Sequence, residues 1–516
     1  MNINKTFKII GSMTIITIFA KISGLLRVSL FANLFGTSPE ADIFLTASRL
    51  PTLFFELALG AAILSTFIPI FNKKLSIEGK DSAMAFANNF MTIVTALAIV
   101  ICLLGITFSR QIIDTFFGFD YATSAAVAEI LRILFPVVIF TALAFMSVGV
   151  LQSFGEFNVP AMMSLVSNVA MIIYLLIFGR RFGVIGISIA MLFGWNLQFL
   201  IQIPPLIKKG FRYKFVMNFK DPALKDVVRL AIPILISSWV HPINIALNVI
   251  FASHMEGSGD IAGLDYANTL YIMGVGIFTL AVTNFIFPKL SRLNAEGNTE
   301  EFAQTVKTSI SYLTYAVIPI MALFIALSSP VIQILYGRGE FGPDSIALAS
   351  SALTFYSFGM IAFVFTEVLN RTFFAIQDGK TPMFASIAGV LGNLALSAYL
   401  IFVQGFGVWA LALSAAFGIT VTAIILLTVV ATRKQGIIDG KFMLNLFKTI
   451  ICGVGTAVTA VHAYAWLGEI FMADNTFAVF FKFTLASLVA FVVYLILGWI
   501  FQVKEQQGLL VKIFKK

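Results

Sequence analysis

The chain has 516 residues, of which 59% are hydrophobic and only 11% are charged, whereas soluble domains have roughly 25% charged residues. This composition excludes a soluble globular protein and predicts an all-α polytopic membrane protein. The net charge of +9 is attributed to cytoplasmic loops and not to nucleic-acid binding, because such loops collect Lys and Arg.

Long apolar segments recur from one end of the chain to the other. The first carries internal charges and is not followed by a small-residue cleavage site, so we do not expect a cleaved signal peptide. A span needs roughly 20 mainly apolar residues. We predict about fourteen spans, at 8–35, 42–71, 84–109, 124–152, 158–179, 184–206, 223–252, 262–288, 305–327, 344–376, 383–403, 408–431, 444–468 and 476–501.

The charges of the loops orient these spans. With the N-terminus inside, the cytoplasmic loops and tail hold most of the Lys and Arg residues. The opposite loops hold only Arg110, Arg180, Arg181 and Arg338. Basic residues favour the cytoplasmic side, so we expect both termini to be cytoplasmic.

Two halves of the chain resemble each other. Pro69 and Pro288 each end an apolar span ahead of basic residues and a Glu-Gly pair. The segments FGVIGISIA (182–190) and FGVWALALS (406–414) also match, and the offset is about 220 residues throughout. An even number of spans separates the copies, so they are parallel repeats, as in transporters with a central cavity between two lobes.

The repeat predicts four regions. They are an N-lobe of spans 1–6 (1–206), a basic cytoplasmic linker (207–226), a C-lobe of spans 7–12 (227–432), and spans 13–14 with a cytoplasmic tail (433–516). In this arrangement the glycine-containing GVGIF (274–278) and GVGTA (453–457) are positions of close helix packing and not phosphate loops.

Ionisable residues inside spans mark substrate or ion pathways by default. Lys21 and Arg27 are about 120° apart on a helix and both fit one broad inward face. With Arg49 they give an excess of cations over the acids Asp42 and Glu56 on spans 1 and 2. Such a cavity favours an anion, and a phosphate or pyrophosphate suits Arg and Lys.

The same residues allow a structural interpretation. Asp42 or Glu56 could form ion pairs with Arg27 or Arg49 that join the helices. Arg371, near the cytoplasmic end of span 10, is interpreted as an anchor whose charged end reaches the membrane surface, and His241 as a core histidine. Neither cysteine, Cys102 or Cys452, has the spacing of a disulfide framework or a metal site.

Several of these stretches resemble the MurJ/MviN lipid II flippases of the MOP exporter superfamily. The resemblance is carried by KISGLLRVSLFANLFG (21–36), EADIFLTASRLP (40–51), YGRGEF (336–341) and VLNRTFFAIQDGKTP (368–382), and it covers nearly the whole chain. It implies two lobes around a cationic cavity and outward movement of undecaprenyl-pyrophosphate-linked peptidoglycan precursor by alternating access. It also implies a lipid-tail groove at spans 13 and 14 and a bacterial cytoplasmic membrane.

By position, Arg27 matches the family's cavity Arg, Asp42 matches its Asp at the start of span 2, and Lys21 stands where an Arg is usual. The chain also departs from the family. Phe54, Phe55 and Glu56 stand where an Arg is common after Leu-Pro, YANTL (266–270) lacks the Arg of span 8, and Val28 replaces an acid. The predicted cavity is therefore less cationic than is usual for the family.

Four alternatives to a lipid II flippase are considered. The chain could export another polyprenyl-linked oligosaccharide, or act as an ion-coupled drug antiporter of the same superfamily, although such an antiporter should prefer acids in its cavity. An enzyme is not favoured, because the short loops hold no catalytic cluster. A non-transporting scaffold would make the inward charges dispensable.

The expected partners and energy source follow from the leading interpretation. We expect a lipid-linked anionic substrate in a phospholipid bilayer, no nucleic acid and no cofactor, with transport coupled to the membrane potential or an ion gradient. Cell-wall synthesis proteins are candidate partners, and we expect the protein to work as a monomer.

Overall fold

A computed structural model describes residues 3–52, 63–255, 257–433, 437, 439–471 and 475–508. Side chains at 3–11, 14, 64–65, 232–242 and 284 also lie outside the description. All regular structure in the described part of the chain is helical, as predicted.

The helices follow one another with short connections. In chain order they are α1 (Ile3–Phe35), α2 (Pro39–Thr52), a π-helical segment (Ile63–Phe67), α3 (Ile68–Ile77), α4 (Lys80–Phe116), α5 (Tyr121–Leu134), α6 (Val137–Ser153), α7 (Asn158–Ala161), α8 (Met163–Phe178), α9 (Gly183–Leu200), α10 (Ile203–Lys208), α11 (Pro222–Ser253), α12 (Asp260–Ala295), α13 (Thr299–Ala326), α14 (Ser328–Tyr336), α15 (Pro343–Ser357), α16 (Met360–Ala375), α17 (Lys380–Ala398), a second π-helical segment (Tyr399–Val403), α18 (Trp409–Arg433), α19 (Gly440–Ile470) and α20 (Thr476–Ile500).

Several helices begin at a side chain that caps them. Asn298, for example, accepts a hydrogen bond from the backbone N–H of Glu301 at 3.1 Å, and Asn475 accepts one from Ala478 at 2.8 Å. Asp120 and Asp439 cap α5 and α19 in the same way. Such caps satisfy N–H groups that the first helical turn leaves without a partner.

Within the described residues, ten helices are long and apolar enough to cross a membrane, or eleven if α15 and α16, which meet at a 49° bend, form one span. Three predicted spans are not among them. The span 42–71 runs through 53–62, outside the description, and 158–179 and 223–252 contain the shorter apolar helices Met163–Phe178 and Ile243–Ser253. The number fourteen therefore stays a prediction.

Contacts divide the chain into two compact units, Met1–Ile261 and Ala262–Lys516. In the first unit, Phe67 is fully buried and stacks on Phe86 and Phe90, with ring centres 5.5 Å apart in each case. A Cβ at Gly149 would come within 2.8 Å of the Phe67 ring. The small residue on α6 thus makes room for an aromatic core beside α4.

Close helix crossings hold the second unit together. The backbones of α17 and α18 meet at Gly389 and Gly418, where a Cβ on either residue would lie 2.6 Å from the other's carbonyl oxygen. A Cβ at Gly274 would lie 2.8 Å from Phe324, and one at Gly453 would lie 2.5 Å from Ile318. The predicted close packing at 274–278 and 453–457 is confirmed, since small residues let helices approach in lipid.

Apolar side chains also cover the outside of these helices. On α19 and α20, Val454, Val458, Leu488 and Trp499 are each more than half exposed. In water such a surface would be unfavourable, whereas in lipid it meets a solvent of its own polarity.

Candidate functional site

The helix α1 carries Lys21 and Arg27, two of the cations predicted to form the site, and packs along α8. Ser12 donates a hydrogen bond to Asn158 at 2.7 Å, and Asn168 donates to the carbonyl oxygen of Ala20 at 3.2 Å and to Ser23 Oγ at 3.3 Å. Because residue numbers increase together along both segments, α1 and α8 run in the same direction.

Arg27 lies on the face of α1 that meets α8. Its side chain is half-buried, and Nη1 lies 3.6 Å from Sδ of Met171, one turn beyond Asn168. A thioether is a weak acceptor, so this contact orients the guanidinium without neutralising it.

Lys21 lies beside the Asn168 contact but is exposed. Six residues separate it from Arg27, which is about 9 Å along the helix axis. The sequence of α1 contains no Asp or Glu, so this helix contributes positive charge only. The described contacts place Arg27 against α8 and leave Lys21 on a different part of the α1 surface.

The carboxylate Asp42 lies in the first turn of α2 and is only 7% exposed. Its Oδ2 accepts a hydrogen bond from the backbone N–H of Gly259 at 2.7 Å. The loop before α12 is thereby joined to α2. At the other end of the same helix, Arg49 is half-buried two residues before Pro51.

Glu56 and the neighbouring Phe54 and Phe55 lie outside the described residues. The side chain of His241 also lies outside the description. At the other position where the chain departs from the family pattern, Thr269 is half-buried on α12.

Arg371 lies on α16 in the second unit, where it is half-buried. The centre of its guanidinium is 5.9 Å from the ring centre of Phe287, which is the distance of a cation–π contact. Glu367 lies one helical turn earlier, at the spacing where opposite charges attract. Phe287 and Glu367, both in the second unit, are thus the neighbours that the contact and the helical spacing give to Arg371.

A polar cluster lies where the chain turns from α16 into α17. Asp378 accepts hydrogen bonds from Thr381 Oγ1 at 2.6 Å and from Arg433 Nη1 at 2.6 Å. Burial raises the pKa of the Asp378 carboxyl, but the bonds from Thr381 and Arg433 outweigh that effect and lower its pKa. The cluster ties the start of α17 to the end of α18.

Lys482 on α20 is a buried cation that the sequence reasoning missed. It is 4% exposed, and its Nζ lies 5.9 Å from the ring centre of Tyr464 on α19. The available signal was one Lys in the second turn of an otherwise apolar span. Its contact with Tyr464 joins the two last helices.

The first unit thus combines a cationic helix with a buried carboxylate that is fixed by a backbone N–H. A comparison with known proteins decides the family: the model described as "MurJ: Lipid II flippase MurJ" matches residues 31–506. The chain belongs to the MurJ family.

Relatives in this family have similar length. The chain is 28% identical over 410 residues to "Probable lipid II flippase MurJ" of Vibrio cholerae serotype O1, covering 77% of each chain. It is 25% identical over 440 residues to "Lipid II flippase MurJ" of Burkholderia cenocepacia, covering 84% of each.

Solved structures agree with the MurJ fold. The structure "Lipid II flippase MurJ, inward closed conformation" superposes with a TM-score of 0.79 at 25% identity, covering 95% of this chain and 98% of that one. An inward-facing multidrug resistance MATE family transporter of the MOP superfamily gives a TM-score of 0.70 at 17% identity, covering 82% and 98%. The latter likeness concerns the fold alone.

Proposed function

We propose that this MurJ-family chain is a lipid II flippase, which moves undecaprenyl-pyrophosphate-linked peptidoglycan precursor across the bacterial cytoplasmic membrane by alternating access. The observation that carries the proposal is the family match over residues 31–506. The superposition on a MurJ structure over 95% of the chain supports it. A flippase of this kind is a transporter and not an enzyme.

We further propose the fourteen-span topology with cytoplasmic termini. In the first unit, contacts join loops that this topology places outside. Arg180 donates to Glu40 at 3.1 Å, and Asp42 accepts from Gly259 at 2.7 Å. The N–H of Gly118 donates to Ser253 Oγ at 3.0 Å. A count wrong by one span would put some of these partners on opposite sides of the membrane.

Contacts on the other side agree with the same topology. In the first unit, Lys209 donates to the carbonyl oxygen of Phe154 at 3.5 Å, and both belong to predicted cytoplasmic loops. In the second unit, Lys289 pairs with Glu301 at 3.0 Å. Arg433 pairs with Asp378 at 2.6 Å, which joins two further predicted cytoplasmic loops. The excess of Lys and Arg in these loops supports the orientation.

The substrate site that we propose is cationic and consists of Lys21, Arg27 and Arg49, with Asp42, Glu56 and Arg371 in supporting roles. An exposed Lys and a half-buried Arg on a helix without acids support attraction of a pyrophosphate. The guanidinium offers a planar fork for phosphate oxygens, and the ammonium acts as a point charge. Two lobes, spans 1–6 and 7–12, would move about this site.

Energy coupling and partners are part of the same proposal. We propose that the membrane potential or an ion gradient drives transport without a cofactor. Moving one elementary charge across the membrane releases about 2.3 kcal/mol for each 100 mV of potential. The flippase works as a monomer beside cell-wall synthesis proteins.

The test is replacement of an essential lipid II flippase in depleted bacteria at matched membrane expression. We expect the unsubstituted chain to restore growth. Arg27→Ala should abolish rescue and Lys21→Ala should weaken it, because each removes a cation from the site. Lys380→Ala removes an exposed cation from the start of α17 and should rescue fully.

Two outcomes would contradict parts of the proposal. Rescue by both Arg27→Ala and Lys21→Ala would show that the charges are structural. No rescue by a well-inserted chain would favour a different polyprenyl-linked oligosaccharide as substrate, a second candidate that the substitutions at Phe55 and Thr269 favour. Purified protein in vesicles that flips such a glycan lipid but not lipid II would establish that candidate.

A further inference from the structure

The segment between α10 and α11 has an unusual construction. Residues 208–220, called the basic strip below, begin at the last residue of α10, and residues 211–218 belong to no helix or strand. Two adjacent side chains on α4 take the place of a strand, because Asn88 and Asn89 each form two hydrogen bonds with the backbone of the strip.

The geometry of these bonds resembles that of a sheet edge. Asn88 Nδ2 donates to the carbonyl oxygen of Arg212 at 3.2 Å, and its Oδ1 accepts from the N–H of Lys214 at 2.9 Å. Asn89 bonds both backbone groups of Asn218, at 2.9 and 2.7 Å. Both Asn side chains are buried, so they hold the strip firmly against the first unit.

Most side chains of the strip are exposed, although Lys209 is half-buried and the Tyr213 hydroxyl lies 3.1 Å from Thr92 Oγ1. Phe211 is buried and anchors one end, but every residue from 212 to 220 is exposed. Phe215 is 75% exposed and Phe219 is 61% exposed. Aromatic rings held in water lose the free energy that burial would give them, and a fixed backbone prevents them from folding inward.

Positive charge alternates with these apolar side chains. Five basic residues and no acid lie in the strip: Lys208, Lys209, Arg212, Lys214 and Lys220. Cations interleaved with exposed Phe, Tyr and Met are typical of segments that lie in a membrane interface, where rings enter the headgroup region and cations meet phosphates.

We propose that the basic strip binds the anionic phospholipid headgroups of the cytoplasmic leaflet. The proposal rests on the proposed topology, which places residues 207–226 on the cytoplasmic side. Charge complementarity favours this partner, because a neutral surface would not attract the five cations. An acidic protein would attract the cations but would not account for the exposed aromatic rings. The strip then holds the first unit at a fixed depth in the leaflet.

The experiment measures the depth of a spin label at Met217→Cys, a 44% exposed position within the strip. The native Cys102 and Cys452 are buried, and unsubstituted protein gives the labelling background. Protein is placed in nanodiscs of phosphatidylcholine alone or of an equimolar mixture with phosphatidylglycerol. The accessibility of the label to oxygen relative to a water-soluble nickel complex reports depth. Asn294→Cys, at an exposed position in the last turn of α12 in the second unit, is the control site.

We expect this accessibility ratio at Met217→Cys to rise roughly threefold or more with phosphatidylglycerol and to fall again at high salt, which screens charges. The triple change Lys208→Gln, Lys214→Gln and Lys220→Gln should remove most of the rise. Lys73→Gln, Lys380→Gln and Lys441→Gln together remove the same charge from other exposed positions. This control variant should show the same rise of the accessibility ratio as the unsubstituted chain. The control label should stay in water throughout.

Three results would overturn the inference. The label could stay equally water-exposed in both lipids, respond to lipid II alone, or become immobile only with an acidic cell-wall protein. Labelling of Met217→Cys in intact cells separates this failure from failure of the topology. Access from the outside would contradict the proposed topology, whereas access from the inside without lipid dependence would contradict only the role of the strip.

Discussion

Asp42 Oδ2 accepts a hydrogen bond from the backbone N–H of Gly259 at 2.7 Å. Gly259 has a φ of +87°, and a Cβ there would lie 2.1 Å from the carbonyl oxygen of Thr37. The carboxylate therefore binds a backbone position that only glycine can occupy without strain. This contact fixes the start of α2, and with it the helix that carries Arg49.

Gly259→Ala should lower the free energy of unfolding by about 2–4 kcal/mol, since backbone strain of about 1–3 kcal/mol adds to the cost of moving Thr37. Gly79 has nearly the same φ, +88°, with nothing within 4 Å of its Cβ position. Gly79→Ala should therefore cost about 1–3 kcal/mol, from strain alone. Thermal unfolding in detergent compares the two, and equal losses would contradict a tight contact with Thr37.

The polar contact between α1 and α8 should contribute measurably to stability. Asn168→Ala removes the bonds to Ala20 and Ser23 and should destabilise the protein by about 1 kcal/mol, the size found for such bonds between membrane helices. Thr107 bonds only within its own helix, to Leu103, so Thr107→Ala should change stability by less than about 0.5 kcal/mol. A larger loss for Thr107→Ala would argue against this role of Asn168.

Asn88 should control the mobility of the basic strip. Asn88→Ala deprives the N–H of Lys214 of its acceptor, and we expect hydrogen exchange at that amide to become roughly tenfold faster for each 1.4 kcal/mol lost. Asn89→Ala should do the same at Asn218. Exchange followed by mass spectrometry should show no change in the strip for Asn294→Ala. Unchanged exchange in both variants would mean that the Asn88 and Asn89 side chains do not hold the basic strip in place.

The cluster at Asp378 should make stability depend on acid pH. The pKa of Asp378 in the folded protein lies below its ordinary value of 3.8, because the bonds from Thr381 and Arg433 outweigh burial. The ionised carboxylate is therefore the stabilising form. Its contribution is complete above pH 3.8 and is lost as the pH falls from there through the lower folded-state pKa.

Asp378→Asn should accordingly lower Tm at neutral pH, and the difference from the unsubstituted protein should shrink on acidification below about pH 4. The comparison variant is Asp81→Asn, at an exposed residue in the first turn of α4, which removes the same charge without breaking this cluster. If the Tm difference of Asp378→Asn stayed constant across that acid range, the carboxylate would not be the stabilising species.

Local properties of the sequence determine the fold class and the family of this protein. Long apolar runs determine that it is a helical membrane protein, because a helix in lipid satisfies its own backbone and needs only length and apolarity. Short stretches such as KISGLLRVSLFANLFG (21–36) carry the family resemblance that the match over residues 31–506 confirms. The cations of α1 and the close helix packing near Gly453 were also predictable, from intramembrane charge and small residues.

Only the tertiary structure decided which residues meet. Lys21 and Arg27 are about 120° apart on the helix, but this spacing does not predict which of them contacts Met171. The structure places Arg27 against Met171 and leaves Lys21 exposed. Asp42 and Gly259 are 217 residues apart, and nothing local in either segment predicts their bond. Burial of Lys482 and the clamping of the basic strip by Asn88 and Asn89 depend likewise on which helices pack together. Such contacts arise from the shape and small residues of many helices at once, whereas apolar length and loop charge belong to one segment at a time.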